Sequence, residues 1–308
     1  MSEPIRDLAV SEEVRRARGA LRRGVGALAL ESTLFTHGLP VPRNLEVARR
    51  AERQVRQAGL VPATVGVVEG RPTVGLSDGE IERLASEQRA VKAGERDLPV
   101  VAAKGLDAGT TVSATALLAQ RAGIRVFATG GVGGVHRGAA TSFDESPDLV
   151  TLGRTPLVVV SAGAKSLLDV PATLERLETL NVPVLGYRTD RFPGFYVADS
   201  GHEVPHRVDG PDEVVAMLRS ADALGLRSAL LVANPVPEDE QLDPALHERV
   251  LGEAQREAEK RGISGHDTTP FLLDHIHRAT GERSLEVNVS VYRNNIAVAA
   301  EIARPLVA

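Results

Sequence analysis

Val126-Phe-Ala128 running into Thr129-Gly-Gly-Val-Gly-Gly-Val-His-Arg137, and Leu157-Val-Val-Val-Ser161 running into Ala162-Gly-Ala-Lys-Ser166, decide the fold. Each is a short apolar run broken by glycine and small polar residues, which reads as a strand buried on both faces that ends in a loop. Similar runs recur at Ala27 to Leu30, Ala63 to Val68, Pro99 to Ala103, Val182 to Tyr187 and Ser228 to Ala233. Helical patterns lie between them, at Arg43 to Ala58, Ser77 to Val91, Val112 to Ala122, Pro171 to Leu180 and Pro211 to Leu224. The second opens with the capping box Ser77-Asp-Gly-Glu80. Strand and helix alternate, the pattern of a layered α/β fold. Val65 to Glu69, Gly70-Arg-Pro72 and Thr73 to Leu76 read as a hairpin, so the sheet is expected to be mixed.

Beyond Asn234 the texture changes. An acidic, proline-bearing loop, Pro235 to Glu240, precedes a charged helix from about Asp243 to Arg261; then come Gly265-His-Asp-Thr-Thr-Pro270, a helix to Arg278 and the alternating run Leu285 to Val291. No repeat or low-complexity linker divides the chain, so residues 1–308 read as a single domain, with Asp190 to Gly210 as an irregular flap or loop.

Composition narrows the function. The chain is 43% hydrophobic and 25% charged, ordinary for a globular protein, and its N-terminus lacks the apolar core of a secretory signal. No apolar run reaches the roughly 18 residues of a membrane span, so a cytoplasmic protein with no membrane partner is expected. With no cysteine, disulfides, thiolate metal sites and thiol nucleophiles are excluded. A net charge of -5 and 3% aromatics argue against nucleic acid as a partner.

Several groups could carry chemistry. Gly130, Gly131, Gly133 and Gly134 after a strand let backbone N–H groups approach an anion, and His136 and Arg137 strengthen that reading of the loop from Thr129. The spacing matches neither the dinucleotide fingerprint nor the Walker loop. Asp144, Glu145 and Asp148 could hold a divalent cation, with a solvated acidic turn as the alternative. Lys165 follows a strand among small residues, where a desolvated amine can attack a carbonyl carbon. Glu31 emerges from the apolar run Ala27 to Leu30, a setting that raises a carboxyl pKa and suits an acid or base. Lys92 and Lys104 are further cations, and Thr110-Thr-Val112 opens a helix that could present N–H groups to an anion. His266, His275 and His277 lack the spacing of a zinc site and read as structural or exposed.

Together these motifs resemble the pseudouridine-5'-phosphate glycosidase family, also called indigoidine synthase A-like. The likeness runs from about Ala29 to Ile302 through Ala29-Leu-Glu-Ser-Thr33, Thr36-His-Gly38, Pro42-Arg-Asn44, Gly109-Thr-Thr-Val112, the Thr129 to Arg137 loop, Ser142-Phe-Asp144, Ser161 to Ser166, Val232-Ala-Asn-Pro235 and Asn288. The resemblance implies a three-layer α/β/α fold with a mixed, mostly parallel central sheet, assembled as a homotrimer. It implies Lys165 as covalent nucleophile, Glu31 as proton donor and Asp144 as ligand of a divalent metal, typically manganese (Mn2+). Lys92, Val112, Ser146 and Asp148 would bind substrate, with His136 and Asn288 nearby. A pseudouridine kinase would supply the substrate. Another Schiff-base phosphosugar lyase or aldolase, or a non-catalytic phosphosugar sensor, would use many of the same residues.

Overall fold

A computed structural model describes residues 8–20, 26–86, 90–165, 167–263 and 268–306. The chain begins with β1 (Ala9–Val10), α1 (Glu12–Ala20), β2 (Ala27–Leu30), α2 (Thr33–His37) and α3 (Arg43–Gln57). There follow β3 (Val61–Val68), β4 (Arg71–Val74), α4 (Asp78–Ser86), β5 (Val91–Ala93), α5 (Leu98–Lys104), β6 (Ala108–Thr110) and α6 (Val112–Arg121). The middle holds β7 (Val126–Ala128), α7 (Ala139–Ser142), α8 (Pro147–Leu152), β8 (Val158–Ser161), α9 (Val170–Thr179) and β9 (Val184–Tyr187). The chain closes with β10 (His206–Val208), α10 (Pro211–Ala223), β11 (Leu230–Ala233), α11 (Pro244–Lys260), α12 (Thr268–Ala279) and α13 (Arg283–Ala303).

The strands form one sheet with the order β1-β4-β3-β2-β7-β8-β11-β9-β10, to which β6 adds beside β3 and β5 beside β6. Among the described residues every strand pairing is parallel except β3 with β4 and β3 with β6. Alternate residues of the central strands enter opposite cores, as the pleat requires. Ala29, Phe127, Val159 and Leu231 pack on one face with α6, α8, α9 and α11. Leu28, Leu30, Val126, Val158 and Val232 pack on the other with α3, α10 and α13. The result is the expected three-layer α/β/α arrangement with a mixed, mostly parallel sheet.

Three local expectations change. Pro99 to Ala103 is helix, inside α5, not strand: only Leu98 and Val101 are buried, one helical face, and Gly105 stops the helix at φ 64°. The helix opened by Ser77 ends at Ser86, and Val91 and Lys92 belong to β5, which pairs with β6. The alternating run Leu285 to Val291 lies within α13, where Ser284, Val287 and Val291 follow helical spacing into the core. The capping box forms as read, with Ser77 N–H and Oγ donating to Glu80 and the Glu80 N–H returning to Ser77 Oγ. Residues 190–210 are irregular apart from β10, yet they carry Phe192, Phe195 and Tyr196 into the core.

Candidate active site

Strands β2, β7 and β8 are parallel neighbours, so their C-terminal ends open along one edge of the sheet, the usual place for a ligand in an open α/β fold. Glu31 leaves the end of β2, Thr129 and Gly130 leave β7, and Lys165 follows the turn after β8. Lys92 arrives from β5. A cavity of about 540 Å³ lies above them, lined by Glu31, Lys92, Gly130, Gly131, Lys165 and Asn288 of the residues anticipated from sequence. That volume suits a nucleotide-sized ligand.

Glu31 is 8% exposed. Burial pushes its carboxyl above the ordinary 4.5; the positive charge of Lys165, the Thr129 hydroxyl and the Gly130 N–H pull the other way, and Asp148 adds repulsion. Thr129 Oγ1 donates a hydrogen bond to Glu31 Oε1. The site therefore holds an acid biased toward its protonated form next to an amine. Enclosure lowers the Lys92 pKa, and repulsion from Lys165 lowers it further, while Asp148 and Glu31 favour its charge.

The glycine-rich loop is built for close approach as well as for ligand access. A Cβ at Gly133 would stand 2.2 Å from Ser146 Oγ, and one at Gly134 would stand 2.4 Å from Thr173 Oγ1. Gly131 faces the Phe195 ring. Gly133 N–H donates to Asp148 Oδ2 at 3.0 Å, so this N–H serves the protein itself. Asp148 Oδ1 accepts from Ser113 N–H at 2.9 Å, in the first turn of α6. The buried Asp148 carboxylate thus ties the loop to the helix that Val112 opens. Ser146 caps α8 by accepting the Asp148 N–H. From α13, Asn295 Nδ2 donates to the carbonyls of Thr129 and Gly130, and its Oδ1 accepts from Asn234.

Val112, Thr129, Gly133, Gly134, His136, Asp144, Ser146 and Asp148 are not among the residues that line the cavity. His136 is half-buried; burial lowers its pKa, Asp144 favours its charge, and Lys165 and Lys92 oppose it. Lys104 is the exposed last residue of α5 and is not among the cavity-lining residues.

The acidic trio separates by role. Glu145 pairs with Arg176 at 2.8 Å, Asp148 is committed to two backbone N–H groups, and Asp144, the ligand the resemblance implies, lies near His136. Among the described residues no group of three His, Asp or Glu side chains gathers as a metal cage. A hard divalent ion that keeps most of its water needs only one or two carboxylates, and Asp144 fits that lighter demand.

Sequence reading missed part of the wall. Phe195 and Tyr196 reach the cavity from the irregular 190–210 stretch, and His277, read as structural or exposed, lines it from α12 with Leu273. Neither contribution has a local sequence signal. Of the other histidines, His275 is half-buried beside Phe271, and His266 lies outside the described residues. Among the described residues no helix is long and apolar enough to cross a membrane.

Comparison with known proteins bears on this site. The family model described as indigoidine synthase A like protein matches residues 16–305. A pseudouridine-5'-phosphate glycosidase of Saccharopolyspora erythraea is 68% identical over 297 residues, covering 96% of this chain and 97% of that one. One of Frankia alni is 55% identical over 286 residues, covering 93% of this chain and 79% of the other. The crystal structure of an indigoidine synthase A-like protein from Thermotoga maritima superposes with a TM-score of 0.88 at 36% identity, over 99% of this chain and 98% of that one. The prealnumycin C-glycosynthase AlnA in complex with ribulose 5-phosphate superposes with a TM-score of 0.90 at 37% identity, over 98% of each chain.

Proposed function

The chain belongs to the indigoidine synthase A-like family, and from that premise we propose that it reversibly cleaves pseudouridine 5'-phosphate to uracil and ribose 5-phosphate. It is an enzyme of the carbon-glycosidase class. The observation that carries the reading is the delivery of Glu31 and Lys165 by nearby parallel strands into one cavity, an acid held toward protonation by burial beside an amine.

A carbon–carbon glycosidic bond offers no oxygen or nitrogen leaving atom to protonate, so the departing ring carbon needs a proton and the sugar carbon needs an electron source. In the proposed course the C1'–O4' bond breaks as the uracil N1 lone pair pushes through C6 to form C5=C1'; Lys165 Nζ adds to C1', returning that pair to the ring, an amine proton passes to O4', and Glu31 gives its proton to C5 of uracil. The C1'–C5 bonding pair returns to the uracil ring, and the lysine nitrogen lone pair fills the deficiency at C1' as an iminium. Water then adds to C1', releasing ribose 5-phosphate; its protons restore Glu31 and the amine.

Lys92 supplies positive charge for the phosphate, with Val112, Ser146 and Asp148 shaping that end through α6 and α8. His136 and Asn288 flank the substrate. Asp144 would hold a divalent metal, most simply Mn2+, which would add positive charge near the phosphate. The ribulose 5-phosphate bound by AlnA supports a phosphopentose in this cavity. We read the assembly as a homotrimer and a pseudouridine kinase as the supplier of substrate.

The test is uracil release from pseudouridine 5'-phosphate with manganese, alongside borohydride trapping of ribose 5-phosphate on the protein. Parent should release uracil and carry the reduced adduct on Lys165, and Lys165→Ala should do neither. A folded, manganese-supplied parent that releases no uracil, or an adduct that persists in Lys165→Ala, refutes the reading.

A further inference from the structure

Thr36-His-Gly38 takes no part in the reaction set out above, yet His37 lines the cavity. His37, at the end of α2, and Lys92, on β5, are both exposed residues of that wall. The backbone sets them side by side. A Cβ at Gly109 of β6 would stand 2.0 Å from Thr36 Oγ1, so the missing side chain makes the notch that seats Thr36. Lys92 is the β5 residue paired with Gly109, and paired residues of neighbouring strands face the same side of a sheet. Thr36 and Lys92 therefore share one face of the β5–β6 pair. Thr36 in turn orients the imidazole. Its hydroxyl donates to the Ser32 carbonyl at 3.0 Å, which leaves the oxygen to accept from His37 Nδ1–H at 2.8 Å. With Nδ1 fixed as a donor, Nε2 is the nitrogen that gains a hydrogen when the ring is protonated.

We infer that His37 is a phosphate-binding residue that seats the phosphate of the substrate together with Lys92. The inference rests on the function proposed above for the identity of that substrate. Burial lowers the His37 pKa; Lys92, the one charged group acting on the ring among the described residues, lowers it further, and the Ala90 carbonyl opposes both. Two neighbouring cation formers that repel each other are completed by an anion, because a dianionic phosphate offsets the repulsion and favours both charges at once. A charged imidazole and an ammonium each make the stronger, charge-assisted kind of hydrogen bond to phosphate oxygen. At neutral pH the ring therefore takes up a proton as the phosphate arrives.

Two measurements test this. In the first, the His37 ring of the parent is titrated by NMR, its signals assigned by their loss in His37→Gln, alone and with ribose 5-phosphate, inorganic phosphate or ribose. Ribose 5-phosphate should move the ring titration to higher pH, inorganic phosphate should move it the same way, and ribose should leave it in place. In the second, initial rates of nucleotide formation are followed with uracil and ribose 5-phosphate varied in turn. His37→Gln, which keeps a polar side chain but cannot gain a proton, should raise the KM for ribose 5-phosphate about tenfold, the order of one charge-assisted hydrogen bond, with the KM for uracil unchanged. His37→Lys, which keeps a cation, should recover most of the loss. A ring titration that ignores ribose 5-phosphate, or that ribose moves equally, overturns the inference, as does an equal rise in both KM values. A parent whose ring responds to ribose 5-phosphate but which forms no nucleotide refutes the proposed function and upholds His37 as part of a phosphosugar seat.

Discussion

Replacing Thr129 with valine isolates the group that tempers the acid. The Thr129 side chain is fully buried, and its hydroxyl donates to Glu31 Oε1. Valine keeps the shape and removes the donor, while the backbone carbonyl of residue 129 still accepts from Asn295. A hydrogen bond to a carboxylate is worth about 1.5–3 kcal/mol, and about 1.4 kcal/mol corresponds to one pH unit of protonation equilibrium. The donor favours the charged form of Glu31, so its loss shifts the equilibrium further toward the acid. Uracil release needs Glu31 protonated, so the basic limb of kcat/KM against pH should move upward by about one to two units. Thr129→Ser, which keeps the hydroxyl, should leave the limb near its parental position. A limb that stays put or moves down in Thr129→Val, or that moves equally in Thr129→Ser, refutes the assignment of Glu31 as the acid tuned by Thr129.

Other outcomes follow from the same geometry. Glu31 has a folded pKa above its ordinary 4.5, so its stabilising contribution is complete below that value and is lost as pH rises through the folded pKa. Glu31→Gln should therefore abolish uracil release yet gain urea resistance relative to parent as pH is raised from 5 to 8; a gap that shrinks over that range contradicts the burial argument. Gly133→Ala forces a Cβ to 2.2 Å from Ser146 Oγ and 2.8 Å from Asp148 Oδ2 and should cost about 1–3 kcal/mol of stability with a loss of activity. Gly210→Ala, with open space and extended backbone, should stay within about 0.5 kcal/mol of parent by denaturant melt. Asn295→Leu strands the carbonyls of Thr129 and Gly130 and the Asn234 amide, and should lower stability by about 3 kcal/mol in the same assay.

The sequence by itself determined the layered architecture, because strands buried on both faces must be continuously apolar and the helices that cover them must carry one apolar stripe. It also placed Glu31, Gly130, Gly131 and Lys165 at strand ends, since a polar or glycine residue directly after such a run has to emerge at the edge of the sheet. Short runs were ambiguous for the same reason that long ones were not. Pro99 to Ala103 has too few residues to display a period, and its helical state rests on burying Leu98 and Val101 together and on the left-handed stop at Gly105. Only the tertiary structure decided which of the many polar residues share a space. The strand order β2-β7-β8 brings Glu31, Thr129 and Lys165 together across more than a hundred residues of chain. The fold also separated the acidic cluster: Glu145 pairs with Arg176, and Asp148 holds the amides of Ser113 and Gly133. His277 and Phe195 entered the cavity wall from segments with no local mark of function, because such a wall is made by packing between distant elements, and local sequence records only the preferences of each element on its own.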